Sequence, residues 1–270
     1  MALALRRFRS SEGNRYGIIL GNYLTCMLLA LLLTPRNQSI LGGSSDTLLY
    51  GLVSGFFYVT GMVGMQTSVQ RNGAGLTTAF AKLGLLVSLA VSILLFGERP
   101  APLQLLGVLL VPAALVLIHS TPDQRGGRSD LRLLLLTLLF NGCADAMAKV
   151  YEDLGNPQES TLYFFRLFGT AFLLTLLLAA FERRKRGKRL RPQEFAAGYL
   201  LGIPNYFSSH FLLLALQKFP AFLVFPLFST GTILLTLLAG WLLFREGLKR
   251  RQAVGVGLIL AALVLLNLKL

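Results

Sequence analysis

Seven polar side chains lie inside stretches that are otherwise apolar, and their chemistry suits the binding of a small polar solute. They are Lys82, Asp145, Asn141, Tyr58, Asn205, Tyr206 and His210. Two of them carry a charge, and a charge in hydrocarbon costs about 3 kcal/mol or more. Lys82 and Asp145 therefore each need a partner, a water-filled cavity or a changed protonation state.

Two explanations fit the charged residues. One is a structural ion pair, either between Lys82 and Asp145 or between Asp145 and Lys149, which follows one helical turn later. The other is a substrate or proton site. Asn22, in another apolar stretch, either lines the same site or bridges two helices.

The neutral polar residues recur at helical spacing. Asn141 lies four residues before Asp145, and Tyr206 lies four before His210, so each pair shares one face of a helix. Pro204, in the same segment as Tyr206, predicts a kink that frees backbone carbonyls. His210 alone also fits a hydrogen-bonded core residue, so its role stays open.

The segments that hold these residues are typical of membrane-spanning helices. Hydrophobic residues make up 54% of the 270 residues and charged residues only 14%, which is too little charge for one soluble domain. The apolar blocks of about 20 residues match the ~30 Å of hydrocarbon that a helix must cross. We therefore predict an all-α, polytopic membrane protein with nine spans, at 16–34, 47–69, 73–97, 102–119, 131–150, 161–181, 195–217, 221–244 and 252–268.

The net charge of +14 reflects membrane topology better than nucleic-acid binding. Lys and Arg fall in short loops between the apolar blocks, so no nucleic-acid partner is expected. Of the 26 basic residues, 19 lie on one side of the predicted membrane and 5 on the other. The positive-inside rule predicts a multi-pass protein of the cell membrane with its basic loops in the cytoplasm and its C-terminus outside.

The chain contains an internal repeat. A shift of 147 or 148 residues aligns Gly51 with Gly198, Gly55 with Gly202, Tyr58 with Asn205 and Glu98 with Glu246. The paired glycines at Gly51-x3-Gly55 and Gly198-x3-Gly202 predict close helix packing.

Each repeat also carries a glutamate at a helix end, in the spacing E-x5-Q-x2-G that begins at Glu98 and Glu246. We expect this carboxylate to accept hydrogen bonds from the first free N–H groups of the next helix. A role in binding is the alternative for both residues.

These features resemble the EamA-type members of the drug/metabolite transporter superfamily. The resemblance rests on paired repeats of about five spans, on Gly97-Glu98 ending the fourth span of a repeat, and on the glycines of the fifth spans, Gly107 and Gly255. It covers nearly the whole chain. The second copy departs from it with Arg245, where the family usually has glycine. The resemblance implies a cytoplasmic C-terminus, opposite to the charge count.

The two repeats, residues 1–122 and 123–270, together form one predicted transmembrane domain. The first has four spans and the second has five, so we expect the first helix of the first repeat to be absent. Copies of a five-span unit face opposite ways, as in the inverted repeats of secondary transporters, whose substrate site lies between the halves. The seven polar residues are thus predicted to line one central cavity.

The leading hypothesis is a secondary transporter that moves a small organic solute, a metabolite or drug-like molecule, by alternating access. Proton coupling at Asp145 is an open option, and a lipid-handling, flippase-like protein is the alternative. The sequence has no nucleotide-binding loop, metal-ligand cluster or nucleophile–base pair, so we expect no enzyme activity, cofactor or metal. The expected partners are the lipid bilayer and the solute. Gly257-x3-Ala261 serves either helix packing or a homodimer contact.

Overall fold

The computed structural model describes residues 16–36, 38–40, 42–119, 130–187, 190–244 and 250–267. These ranges contain one short 3₁₀-helix, Pro157–Glu159, and no strand, so the all-α prediction is confirmed. Their α-helices are α1 (Gly17–Leu33), α2 (Ser45–Asn72), α3 (Ala74–Leu83), α4 (Leu85–Phe96), α5 (Pro102–His119), α6 (Leu131–Leu154), α7 (Ser160–Arg186), α8 (Pro192–Leu216), α9 (Ala221–Phe244) and α10 (Arg250–Asn267).

The helices match the nine predicted spans. Helices α3 and α4 meet at Gly84, which keeps helical backbone angles, and they form one span, Leu76–Phe96. By length and composition this span, α2, α6, α8 and the segment Pro157–Lys185, which covers most of α7, can cross a membrane. Helices α1, α5, α9 and α10 contain shorter apolar segments. Each predicted span ends within five residues of a helix end. The chain is therefore an integral membrane protein.

The outer faces of the helices carry large apolar side chains. Leu32, Leu94 and Leu235, for example, are 77%, 80% and 68% exposed. Such a surface would promote aggregation in water, but in a bilayer these side chains face lipid chains that are equally apolar. Exposed leucine on these helices is thus what a membrane-spanning chain requires.

The described residues pack into two compact units. One consists of the described residues up to Val59 with those of Val150–Leu214, and the other of those of Thr60–Lys149 with those from Ala215 onward. Each unit draws segments from both sequence repeats, and α2, α6 and α8 each pass from one unit into the other. The division of the sequence into repeats at residue 122 stays a prediction.

Glycines bring the helices of the first unit into close contact. A Cβ atom at Gly55 would lie 2.6 Å from the Leu167 carbonyl oxygen, and one at Gly202 would lie 2.6 Å from the Asn22 carbonyl oxygen. Helix α2 therefore packs backbone to backbone on α7, and α8 packs on α1. This confirms the packing role predicted for the two G-x3-G pairs.

In the second unit, α5 and α10 pack through the glycines of the E-x5-Q-x2-G spacing. A Cβ atom at Gly107 would lie 3.0 Å from the Ala262 carbonyl oxygen, and one at Gly255 would lie 3.2 Å from that of Ala114. Gly107 on α5 thus faces α10, and its equivalent in the second repeat, Gly255 on α10, faces α5.

Candidate functional site

In the second unit, a close helix contact positions the two charged residues. A Cβ atom at Gly84, between α3 and α4, would lie 2.8 Å from the Gly142 backbone nitrogen on α6. The Ser88 hydroxyl donates a 3.2 Å hydrogen bond to the Gly142 carbonyl. Lys82 lies two residues before this contact on one helix, and Asp145 lies three residues after it on the other.

The charges of Lys82 and Asp145 attract each other. The Lys82 Nζ also lies 5.9 Å above the ring of Phe228, where the face of an aromatic ring attracts a cation. Within the described chain, the charged groups of Lys82 and Asp145 form no direct ion pair. Lys82 and Asp145 each keep an intermediate exposure.

Asn141 shares the Asp145 face of α6, as predicted, but its amide is already engaged. Its Nδ2 donates to the Thr137 carbonyl at 2.7 Å and to the Gly61 carbonyl at 3.5 Å. These bonds fix the side chain against its own helix and against α2. Asn141 therefore has less free donor capacity than its position on the helix suggested.

Lys149 has a different acidic partner from the one proposed in the ion-pair explanation. Its Nζ lies 3.3 Å from Oε1 of Glu98, and both side chains are largely buried. Asp145, one turn earlier on α6, instead experiences the charge of Lys82. The end of α4 thus brings to Lys149 a carboxylate other than that of Asp145.

Glu98 also accepts helix N–H groups, but not those of the next helix. Its Oε1 accepts from the Ala221 N–H at 2.9 Å and its Oε2 from the Phe222 N–H at 3.1 Å. The chemistry of the prediction is confirmed and its partner is corrected: the carboxylate caps α9, not α5. Glu246, its counterpart in the second repeat, lies outside the described residues.

The hydrogen bonds outweigh burial in setting the acidity of Glu98. Burial alone would raise the pKa of the carboxyl group. The N–H donors of Ala221 and Phe222, helped by the charge of Lys149, instead lower this pKa below its ordinary value. Glu98 is therefore a stable anion, which is the form that a structural cap needs.

In the first unit, Asn205 belongs to a buried polar cluster between α1 and α8. Its Nδ2 donates to the Asn22 Oδ1 at 2.8 Å, and the Cys26 thiol donates to the Gly202 carbonyl at 3.2 Å. Asn22 is only 1% exposed and bridges the two helices. Its own Nδ2 has no hydrogen-bond partner among the described residues.

Tyr206 and His210, which lie one turn apart on α8, stack on one another. Their rings are 6.0 Å apart and nearly parallel, at 9°, and both lie against Phe164. Within the described ranges, the Tyr206 hydroxyl and the His210 Nδ1 are buried without a hydrogen-bond partner. A buried polar atom left unsatisfied costs roughly 1–3 kcal/mol, so a solute or a water molecule that bonds to them would be stabilising.

Tyr58 joins the same unit from α2. Its hydroxyl lies 3.3 Å from the Ser209 Oγ, and its ring packs edge-on against Phe168 at 5.8 Å. The structure thus places four of the predicted residues, Tyr58, Asn205, Tyr206 and His210, in the first unit. Lys82, Asn141 and Asp145 lie in the second unit. A cavity shared by the two groups stays a prediction.

The sequence reasoning missed a set of aromatic residues in the first unit. The rings of Tyr151 and Tyr163 stack at 3.9 Å, and the Tyr163 hydroxyl lies 3.0 Å from the Ser54 Oγ. The Tyr23 hydroxyl donates to the Tyr58 carbonyl at 3.1 Å. The available signal was the placement of tyrosines within or beside apolar spans, where each hydroxyl needs a partner.

Comparisons with known proteins agree with the helical architecture. Residues 1–120 and 131–268 match the sequence profile of the EamA-like transporter family. An uncharacterized protein of Haemophilus influenzae is 25% identical over 207 residues, which cover 74% of this chain and 68% of that protein. A crystal structure aligns with a TM-score of 0.76 over 98% of this chain and 91% of its own. At 16% identity, that likeness concerns the fold alone.

Proposed function

Because the chain belongs to the EamA-like transporter family, a family of membrane transporters of small solutes, we propose that it moves a small organic solute across the cell membrane by alternating access. The solute is a metabolite or a drug-like molecule. The nine spans and the repeated sequence support this mechanism, since inverted repeats can open a site to either side in turn.

The observation that carries the proposal is the position of Lys82 and Asp145. Both lie on helices that are apolar enough to cross the membrane, beside the contact of Gly84 with Gly142. Neither charge is cancelled by a direct ion pair with the other. Two opposite charges held in this way suit a solute that is itself polar or charged.

In this mechanism Asp145 also takes up and releases a proton as the site changes sides. The carboxylate can exchange its attraction to Lys82 for a proton or for a cationic group of the solute. Lys82 supplies the opposite charge and binds an anionic group.

The first experiment identifies a ligand. Amino acids, nucleobases, sugars and lipophilic cations are screened for their effect on the thermal stability of the purified protein. A ligand that binds the folded state raises its apparent stability by mass action. The compound with the largest effect is then used for uptake into liposomes that contain the protein.

The second experiment separates function from packing with Lys82→Met, Asp145→Leu and the double variant. Each single change leaves one charge alone and should lower stability, whereas the double change should restore it. If the residues bind solute, the restored double variant neither binds nor transports the ligand. Transport of normal rate and pH dependence in the double variant would leave only a packing role.

A third variant, Asp145→Asn, tests proton coupling. An amide cannot load and release a proton, so uptake by this variant should no longer depend on pH. Asp153→Asn, near the end of the same helix, is the matched control and should keep the wild-type pH profile. Retained pH dependence in Asp145→Asn would place the coupling proton elsewhere.

A further inference from the structure

The end of α7 borders a cavity of about 590 Å³ whose lining is apolar on one side and cationic on the other. Leu176, Ala179, Ala180 and Leu190 form its apolar wall, and Arg183 and Arg184 form its charged edge. The cavity lies within the first unit, and none of its lining residues is assigned above to the solute site.

The two arginines of this cavity are exposed and available. Neither forms an ion pair with an acid in the part of the chain that the structure describes. The acids nearest in sequence, Glu182 and Glu194, are only 5% and 3% exposed and do not line the cavity. Lys185, the next basic residue, lies over the Phe181 ring at 5.8 Å and does not line the cavity.

The helix that lines the cavity, α7, also carries an exposed apolar stripe. Leu173, Leu177 and Phe181, spaced by four residues, are 60%, 66% and 63% exposed. The distance along the helix from Leu176 to Arg184 is roughly 12 Å at ~1.5 Å per residue. This pattern matches a phospholipid, whose acyl chain is apolar and whose phosphate is anionic.

We propose that this cavity binds the headgroup of an anionic phospholipid, with its phosphate on Arg183 and Arg184 and the start of an acyl chain along Leu176 and Ala180. The bound lipid would fix the end of α7 at the membrane surface. Arginine is suited to this role because its guanidinium can form two parallel hydrogen bonds with phosphate oxygens.

The test measures lipid binding to the purified protein in detergent, by native mass spectrometry and by thermal shift. The probes are dioleoylphosphatidylglycerol and dioleoylphosphatidylcholine, which share their chains and differ in charge. We expect the anionic lipid to bind more tightly and to stabilise the protein more. Equal binding of the two lipids would overturn the proposal.

Variants distinguish this cavity from general surface charge. Arg183→Gln with Arg184→Gln should weaken phosphatidylglycerol binding roughly 30-fold, since each basic residue near a membrane surface accounts for about a fivefold change in affinity for anionic lipid. Lys185→Gln with Arg191→Gln removes the same charge from residues outside the cavity and should have a much smaller effect. Equal losses in the two double variants would show diffuse attraction instead of a site.

Two further arms test the shape of the cavity and the source of the phosphate. Ala180→Trp fills the apolar wall without changing charge, and it should also weaken phosphatidylglycerol binding. Glycerol phosphate in excess should not displace the lipid, because it has no acyl chain. Phosphatidylglycerol binding that survives Ala180→Trp would contradict a lipid site in this cavity. Displacement of the lipid by glycerol phosphate would contradict it too and would favour a site for a free anion.

Discussion

Removing the carboxylate of Glu98 should destabilise the fold more than removing its cation partner, Lys149. Glu98 accepts the first N–H groups of α9, from Ala221 and Phe222, and pairs with Lys149 at 3.3 Å. Glu98→Ala eliminates all three interactions at once. Lys149→Met eliminates the ion pair and the contact of the Lys149 Nζ with the Phe96 ring at 5.8 Å, and it leaves the carboxylate with its two N–H donors.

The structure allows the size of these effects to be worked out. Leaving one member of a buried ion pair without its partner costs about 3–5 kcal/mol, and losing a helix cap costs about 1 kcal/mol. The side chain of Lys149 is only 7% exposed, so water cannot replace the lost carboxylate. We expect Glu98→Ala to cost about 4 kcal/mol and Lys149→Met about 1–2 kcal/mol, because charge-assisted hydrogen bonds still hold Glu98.

The assay is thermal unfolding of the purified protein in one detergent, followed by intrinsic fluorescence. At about 2–4 °C per kcal/mol, Glu98→Ala should lower the Tm by roughly 8–16 °C. Glu98→Gln should lie between Glu98→Ala and the wild type, since its amide oxygen can still accept one N–H group. Lys149→Met should be the mildest of the three single changes.

A double variant tests whether the two residues act together. In Glu98→Gln with Lys149→Met, no charge is left alone, so the protein should be more stable than with Glu98→Gln by itself. If the losses from the two single changes simply add, the ion pair does not contribute to stability. If Lys149→Met proves as damaging as Glu98→Ala, the capping of α9 is not the main role of Glu98.

Three other outcomes follow from the structure. The pKa of Glu98 is lower in the folded protein than in the unfolded chain. The stabilisation that its carboxylate gives is therefore complete above the unfolded pKa of about 4.3 and is lost as the pH falls through the folded pKa. The Tm difference between wild type and Glu98→Gln should thus narrow below about pH 4. Gly142→Ala should lower stability by about 1–3 kcal/mol, because its new Cβ would lie 2.5 Å from the Gly84 carbonyl oxygen. Gly257→Ala, whose Cβ would have nothing within 4 Å, is the control and should leave stability unchanged. Equal effects of the two variants on thermal unfolding would refute the close contact of Gly84 with Gly142. In a background without native cysteines, Lys185→Cys should react only with thiol reagents that cross the membrane and Gln158→Cys with those added outside; the reverse labelling would invert the predicted orientation.

Sequence alone predicted the spans because their signal is local. A block of about 20 apolar residues specifies a membrane helix whatever its neighbours are, and all nine predicted blocks coincide with helices. The G-x3-G pairs could also be interpreted without a structure, since small residues at that spacing leave a helix face open to close packing. The capping chemistry of Glu98 was likewise predictable, because a carboxylate at a helix end is matched by free N–H groups at a helix start.

The identity of each partner depended on tertiary structure. Glu98 caps α9, more than 120 residues away, and pairs with Lys149 of α6, because the packing of the unit brings those groups to its carboxylate. Asn22 and Asn205 meet across 183 residues for the same reason. Hydrophobic periodicity places a residue on one face of its own helix. The partner of that residue on a neighbouring helix depends on where glycines such as Gly84 and Gly142 let two helices approach. The place of that approach is decided by the packing of the whole unit.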